Sequence, residues 1–163
     1  MTASSQIELA STRVAILLST YNGERFLEQQ LESLLAQSHD NFIIVLRDDC
    51  STDSTPSILQ RYSDAHPQLF HKIKDDGCNR GPSGSFSLLC EYLLSESSAL
   101  GFNGDNIVAC FCDQDDVWAP NKIELSVAAL LAAEAGDESK PVLVHTDLRV
   151  VDASLQPIAP SFV

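Results

Sequence analysis

Three short apolar runs, Val14 to Ser19, Phe42 to Leu46 and Ile107 to Cys112, each end on a polar cluster and give way to a segment whose apolar side chains recur at helical spacing. This alternation limits the fold more than any other feature of the chain. Such runs, apolar and rich in β-branched residues, suit strands buried on both faces. The helical segments carry Phe26, Leu27, Gln30, Leu31, Leu34 and Leu35; then Ile58, Leu59 and Tyr62; then Phe86, Leu89, Cys90, Leu93 and Leu94; and last the Ala- and Leu-rich stretch from Ile123 to Ala133. Two weaker runs, Leu69 to Ile73 and Val142 to His145, predict further strands. Strands alternating with helices imply an α/β fold with a mostly parallel sheet flanked by helices.

Sheets of this kind bind ligands beyond the carboxyl ends of their strands. The polar clusters fall there: Ser19 to Asn22, Asp48 to Ser51, Asp113 to Asp116, and Thr146-Asp147. The glycine-rich stretch from Asp75 to Gly84 reads as a loop after the third strand, and Gly101 to Asn106 as the loop before the fourth. Gly136 to Pro141 reads as a surface loop and Met1 to Thr12 as a flexible polar leader, leaving residues 13–163 as one domain.

Asp113-Gln114-Asp115-Asp116 carries the sharpest chemistry. Two like charges about 4 Å apart repel by roughly 1 kcal/mol in water, and several-fold more at the lower effective dielectric near a protein surface. A divalent cation is the simplest compensation, because Mg²⁺ or Mn²⁺ accepts one or two carboxylates together with phosphate oxygens. The alternative is that Asp113, Asp115 and Asp116 sit at the N-terminus of the helix containing Lys122, with Pro120 in its first turn. Asp48-Asp49 can accept hydrogen bonds from a base or ribose, or close an Asx-turn. Tyr21 can lie against a flat base or pack on the first helix. Asn79 to Gly84 offers backbone N–H groups and Arg80 to an anion, yet matches neither the P-loop nor the dinucleotide fingerprint.

The chain has 163 residues, 44% of them hydrophobic, enough for one core and too few for two ordinary domains. Its net charge of −13 argues against nucleic acid or an anionic membrane as partner. The five cysteines lack metal or redox spacing, which fits reduced thiols and a cytoplasmic setting, with membrane association only through acceptor or partners. Cys110 and Cys112 share one strand face and read as small buried hydrophobes. No signal peptide and no apolar stretch of membrane-spanning length is visible.

Taken in order, Ser19-Thr20-Tyr21-Asn22, Asp48-Asp49-Cys50-Ser51, Asn79-Arg80-Gly81 and Asp113-Gln114-Asp115-Asp116 followed by Val117-Trp118-Ala119-Pro120 resemble the nucleotide-sugar-binding half of the inverting family 2 glycosyltransferases. The resemblance runs from about Val14 to Phe162 and is strongest to the bacterial rhamnosyltransferase-like branch. It implies the GT-A fold, a Rossmann-like parallel sheet. It also implies transfer of a sugar from a nucleotide-diphosphate donor to a glycan or lipid-linked acceptor, as in polysaccharide biosynthesis. By the same resemblance Ser19, Thr20 and Tyr21 line the nucleotide site, Asp49 binds the base, and Asn79 and Gly81 lie near ribose and diphosphate. Asp113 and Asp115 form the metal motif for Mn²⁺ or Mg²⁺, with Asp113 shared between ribose and metal, and Asp116 and Trp118 support them. Two positions depart from the family pattern: Ser85 stands where Asn is frequent, and Cys50 where Gly is usual.

The general base of these relatives lies in an acidic motif for which the sequence holds no match, so it is expected beyond Val163 and no catalytic residue is assigned. The domain is accordingly expected to lack its C-terminal acceptor and base segment, and to expose apolar surface as a result. A nucleotide-sugar-binding module without turnover is the alternative from the binding class. A haloacid-dehalogenase-like phosphatase is a remote third, since an apolar strand followed by Asp-x-Asp-x-Val is also its nucleophile motif. That motif closes a first strand, whereas Asp113 follows the fourth. Sugar, base, acceptor and oligomeric state are not legible.

Overall fold

The structure, a computed structural model, describes residues 8–74, 77–102, 107–135 and 141–161. Four strands, β1 (Val14–Thr20), β2 (Phe42–Asp48), β3 (Phe70–Lys72) and β4 (Val108–Cys112), form a parallel sheet in the order β3-β2-β1-β4. Helices α1 (Leu27–Leu35), α2 (Thr55–Ala65), α3 (Gly81–Glu96) and α4 (Lys122–Glu134) alternate with them. The expected α/β architecture is therefore present.

Pleat alternation divides the core in two. Val14, Ile16 and Leu18 of β1 and Phe42, Ile44 and Leu46 of β2 face one side, where Leu27, Leu31, Leu34, Ile58, Leu59, Ile123 and Val127 from α1, α2 and α4 cover them. Ala15, Leu17, Ile43 and Val45 face the other side and meet Leu89 and Leu93 of α3. With helices on both faces, β2 is buried at every position and β1 at all but Ser19. The continuous apolar runs in the sequence have this cause.

Strand β4 behaves differently. It pairs with β1 alone, so it is an edge of the sheet among the described residues, with Ala109 and Phe111 exposed and only Cys112 buried. Cys110 and Cys112 do pack against the core on one face, as expected of small hydrophobes. Burial pushes the Cys112 thiol pKa up, which disfavours a reactive thiolate there.

Three expectations need correction. Val142 to His145 is not a strand: residues 141–149 carry no regular structure, and Leu143 is 85% exposed. An apolar run becomes a strand only with a backbone partner, and this one has none among the described residues. Instead β5 (Val150–Val151) and β6 (Pro157–Ala159) form a separate antiparallel pair. Second, α3 begins at Gly81, so the glycine-rich loop ends about one turn earlier than its composition suggests. Third, α4 begins at Lys122, so Pro120 lies in the turn before it, not in its first turn.

Residues 8–11 of the expected leader form a helical turn, and Leu9 is buried against the core. The remainder of the leader, Asp75-Asp76, residues 103–106, residues 136–140 and Phe162 lie outside the described residues. No helix among the described residues is long and apolar enough to cross a membrane.

Candidate functional site

The chain leaves β1 toward β2 on one side, while β4 lies on the other, so the topological switch point falls between the carboxyl ends of β1 and β4. The loops after β1, β2 and β4, with the start of α3, meet at that edge.

Ser19 and Thr20 close β1 on opposite faces. The Ser19 hydroxyl donates to Ser85 Oγ at 2.7 Å, and the Thr20 hydroxyl to Asp48 Oδ1 at 2.9 Å. Tyr21 follows with its side chain half exposed. The loops after β1 and β2 then interlock through reciprocal hydrogen bonds. Asn22 N–H donates to Ser51 Oγ at 2.8 Å, and Asn22 Oδ1 accepts from Thr52 N–H at 2.8 Å. Glu24 N–H donates to Asp53 Oδ2 at 3.0 Å, and Glu24 Oε2 accepts from Ser54 N–H and Oγ at 3.0 and 2.6 Å.

Asp48 realises the Asx-turn alternative: Oδ2 accepts from Ser51 N–H at 3.0 Å and Oδ1 from the Ser51 hydroxyl at 2.6 Å. Asp49 is 2% exposed and lies at the centre of a second network. Arg47, itself buried, donates to Asp49 Oδ1 and to Ser85 Oγ, and to Cys78 O at 2.8 Å. Arg80 N–H donates to Asp49 Oδ1 at 2.7 Å and Gly81 N–H to Oδ2 at 2.8 Å, so this carboxylate receives the N-terminus of α3. Asn79 Nδ2 donates to Asp49 O at 2.9 Å. Desolvation raises the Asp49 pKa, but the hydrogen bonds from Arg47, Arg80 and Gly81, with the Arg47 charge, outweigh it and hold the carboxyl below its ordinary value. Gly81 has φ +69, a conformation costly for any residue with a Cβ.

Asp113, Asp115 and Asp116 follow β4 and are exposed. None of the three carboxylates accepts a hydrogen bond or joins an ion pair among the described residues. The capping alternative is not realised: Asn121 is the N-cap of α4, and the first-turn N–H of Ile123 donates to Gln37 Oε1, not to any of the three carboxylates. Desolvation and then the neighbouring Asp116 and Asp115 charges raise the Asp113 pKa; desolvation and Asp115 raise that of Asp116, against the pull of Lys122. No three His, Cys, Asp or Glu side chains converge to hold a metal by themselves among the described residues. An all-oxygen donor set of one or two carboxylates nevertheless suits a hard divalent cation whose other positions are filled by phosphate oxygens or water.

The loop beyond them is fixed from α1 and the turn that follows it. Trp118 N–H donates to Ser33 Oγ at 3.0 Å, Gln37 Nε2 to Ala119 O at 2.8 Å, Ile123 N–H to Gln37 Oε1 at 3.1 Å and Ser38 N–H to Pro120 O at 2.7 Å. Trp118 is buried, with Lys122 Nζ 4.9 Å from its ring centre. Asp147, in the last polar cluster, bonds to Ser161 and lies at no strand end.

The structure thus gathers Asp49, Asn79 and Gly81 into one network, sets Ser19 and Thr20 beneath it, and joins Tyr21 to the acidic loop. Sequence reasoning missed Arg47 and Gln114. A charged residue directly after a buried apolar run was the available signal for Arg47, since a cation there needs a partner. Nothing local marked Gln114.

The family model for glycosyl transferase family 2 matches residues 15–139. The chain is 30% identical over 128 residues to the dTDP-rhamnosyl transferase RfbG of Shigella flexneri, covering 78% of this chain and 42% of that one. Its fold is similar to that of S. aureus TarS in complex with UDP-GlcNAc, with TM-score 0.57 and 22% identity over 86% of this chain and 40% of that one. It is also similar to the mannosyltransferase PcManGT from Pyrobaculum calidifontis in complex with GDP-Man and Mn²⁺, with TM-score 0.55 and 24% identity over 74% of this chain and 33% of that one. The chain spans less than half the length of each of these relatives. With its parallel sheet, its loop clusters at the switch point and this match, the chain belongs to glycosyl transferase family 2, in the GT-A fold.

Proposed function

We propose that this chain forms the donor-binding portion of an enzyme that transfers a sugar from a nucleoside-diphosphate donor to a glycan or lipid-linked acceptor, with inversion and with Mn²⁺ or Mg²⁺. The observation that carries the reading is the set of three carboxylates, Asp113, Asp115 and Asp116, without hydrogen-bond or ion-pair partners among the described residues, at the switch point of a parallel sheet. An uncompensated acidic cluster at the usual ligand edge is best explained by a cation that arrives with its ligand.

In this reading Asp115 and Asp113 hold the metal. When bound, Mn²⁺ or Mg²⁺ supplies positive charge to the departing nucleoside diphosphate. The half-exposed Tyr21 side chain offers a face for the base. Asp49 receives one N–H on Oδ2, which leaves a lone pair there for a base N–H donor. Asn79 and Gly81 sit beside it for the ribose and diphosphate, and Ser19 and Thr20 form the floor. RfbG, TarS and PcManGT, whose names or bound ligands specify nucleotide-linked sugars, support the donor class.

Calorimetric titration of the chain with uridine, guanosine and deoxythymidine diphosphates tests the proposal. At least one should bind in Mn²⁺, bind more weakly once the metal is chelated, and lose about tenfold or more in affinity in Asp115→Ala, the order expected when a charge-compensating ligand group is removed. Binding indifferent to metal and to Asp115 would sink it.

A further inference from the structure

Gln114 stands between the two carboxylates assigned to the metal, and its side-chain amide makes two hydrogen bonds to a single residue across the switch point. Tyr21 N–H donates to Gln114 Oε1 at 2.7 Å, and Gln114 Nε2 donates to Tyr21 O at 2.9 Å. The β1–β4 ladder ends at the pair Leu18 and Cys112. The amide therefore continues the contact three residues past Leu18, just beyond the end of β1, where the β1–β4 ladder has already ended. Gly23 shows independently how closely the amide packs against the loop after β1. A Cβ at Gly23 would fall 2.6 Å from Gln114 Cδ, and Gly23 is not one of the glycines with positive φ. Its backbone would tolerate alanine; the Gln114 amide is what would have to move.

We propose that Gln114 is a positioning residue that couples the acidic loop to the loop after β1, so that cation binding at Asp113 and Asp115 sets the position of Tyr21 for the nucleoside. This rests on the donor-site reading above. Any shift of Asp113 or Asp115 toward a cation displaces the residue between them, and the paired hydrogen bonds carry that displacement to the Tyr21 backbone. The coupling is reciprocal, so nucleoside binding at Tyr21 also tightens the cation site.

The test uses the full chain, with Mg²⁺ as a diamagnetic cation and the three diphosphates as nucleotide probes. In Gln114→Ala the Tyr21 N–H should exchange with solvent at least about tenfold faster. The factor by which Mg²⁺ raises diphosphate affinity should fall about fivefold or more. In amide spectra, Mg²⁺ should shift residues 113–116 in both proteins and Tyr21 only in the parent. Gly23→Ala, a second route to the same displacement, should reproduce these effects in the parent and add nothing in the Gln114→Ala background. Unchanged Tyr21 exchange in Gln114→Ala overturns the proposal, and so does faster exchange with the Mg²⁺ factor intact, which would leave Gln114 a purely structural contact. A parent chain that binds none of the diphosphates overturns the donor-site reading instead; the coupling is then judged on Tyr21 exchange and its Mg²⁺ shift alone.

Discussion

Asp49 and Asp116 sit at the same edge of one sheet and have pKa values shifted in opposite directions: hydrogen bonds outweigh desolvation at Asp49, whereas desolvation and the Asp115 charge prevail at Asp116. Asp49 is held below the ordinary value of 3.8 by Arg47 and two backbone N–H groups, so its contribution to stability is present above that pH and lost as pH falls through its lowered value. Asp113 and Asp116 are raised above 3.8, so the folded metal-free chain binds protons there more tightly than the unfolded chain does. Their contribution makes stability decline as pH rises through the window between 3.8 and the raised values, and hold level beyond it. Urea unfolding of Asp116→Asn without metal should show a gain at neutral pH of less than about 1 kcal/mol, since these groups face solvent, and no gain below the ordinary carboxylate value. A loss at neutral pH would show that the cluster is not self-repelling. Cation affinity should climb through the same window. At this scale the sequence spoke clearly about Asp113 and Asp115, whose charge is evident in the string itself. Cys50, whose place the resemblance gives to Gly, does take the left-handed conformation, at φ 65, that a glycine adopts without strain; the sequence was silent about Gln114, whose partner lies 93 positions away.

At the scale of elements, α1 does more than cover the sheet. Its buried positions include Gln30 and Ser33, and Gln37 is buried just beyond its end. Gln30 Nε2 reaches Cys112 Sγ at 2.8 Å, while Ser33 and Gln37 hold Trp118, Ala119 and Ile123. The helix thus fixes both ends of the acidic loop, at Cys112 and again from Trp118 onward. Gln37→Leu leaves the buried Ile123 N–H and the more accessible Ala119 O without this partner. It should lower unfolding free energy by about 1–3 kcal/mol, read from the urea midpoint at constant slope. A shift within error would mean that water replaces the amide. The helical period of α1 was plain in the sequence, whereas its polar role was not, because Gln30 falls on the apolar stripe and reads there as a tolerated exception. For α3 the opposite held. Gly81, Pro82 and Gly84 look like loop residues, yet Pro suits a first helical turn and the Asp49 carboxylate, just after β2, supplies the anchor that local residues do not.

Across the whole molecule, β1 and β2 were legible because both their faces are buried, so every position in them obeys one rule. The fifth strand misled for the converse reason: residues 142–145 have strand composition, but pairing is a property of two segments and is not written in one. What remains is a sheet whose β4 edge is unpaired on its outer side among the described residues and carries Phe111, 60% exposed. The Phe86 ring meets the Phe111 ring edge-on, with centres 5.3 Å apart. Such an edge invites association. The 163-residue chain should bind an apolar-surface dye and self-associate in sedimentation, and Phe111→Lys should reduce both without lowering the thermal midpoint appreciably. A monomer with no dye signal would refute this. The interlock between the loops after β1 and β2 has a consequence for engineering by recombination. Because Asn22 and Glu24 take their partners from residues 51–54, and those residues take theirs back, neither loop is a portable module. Chimeras with other family members should inherit the two loops from one parent, and crossover points placed between them should yield inactive offspring even where each loop is native to a working enzyme.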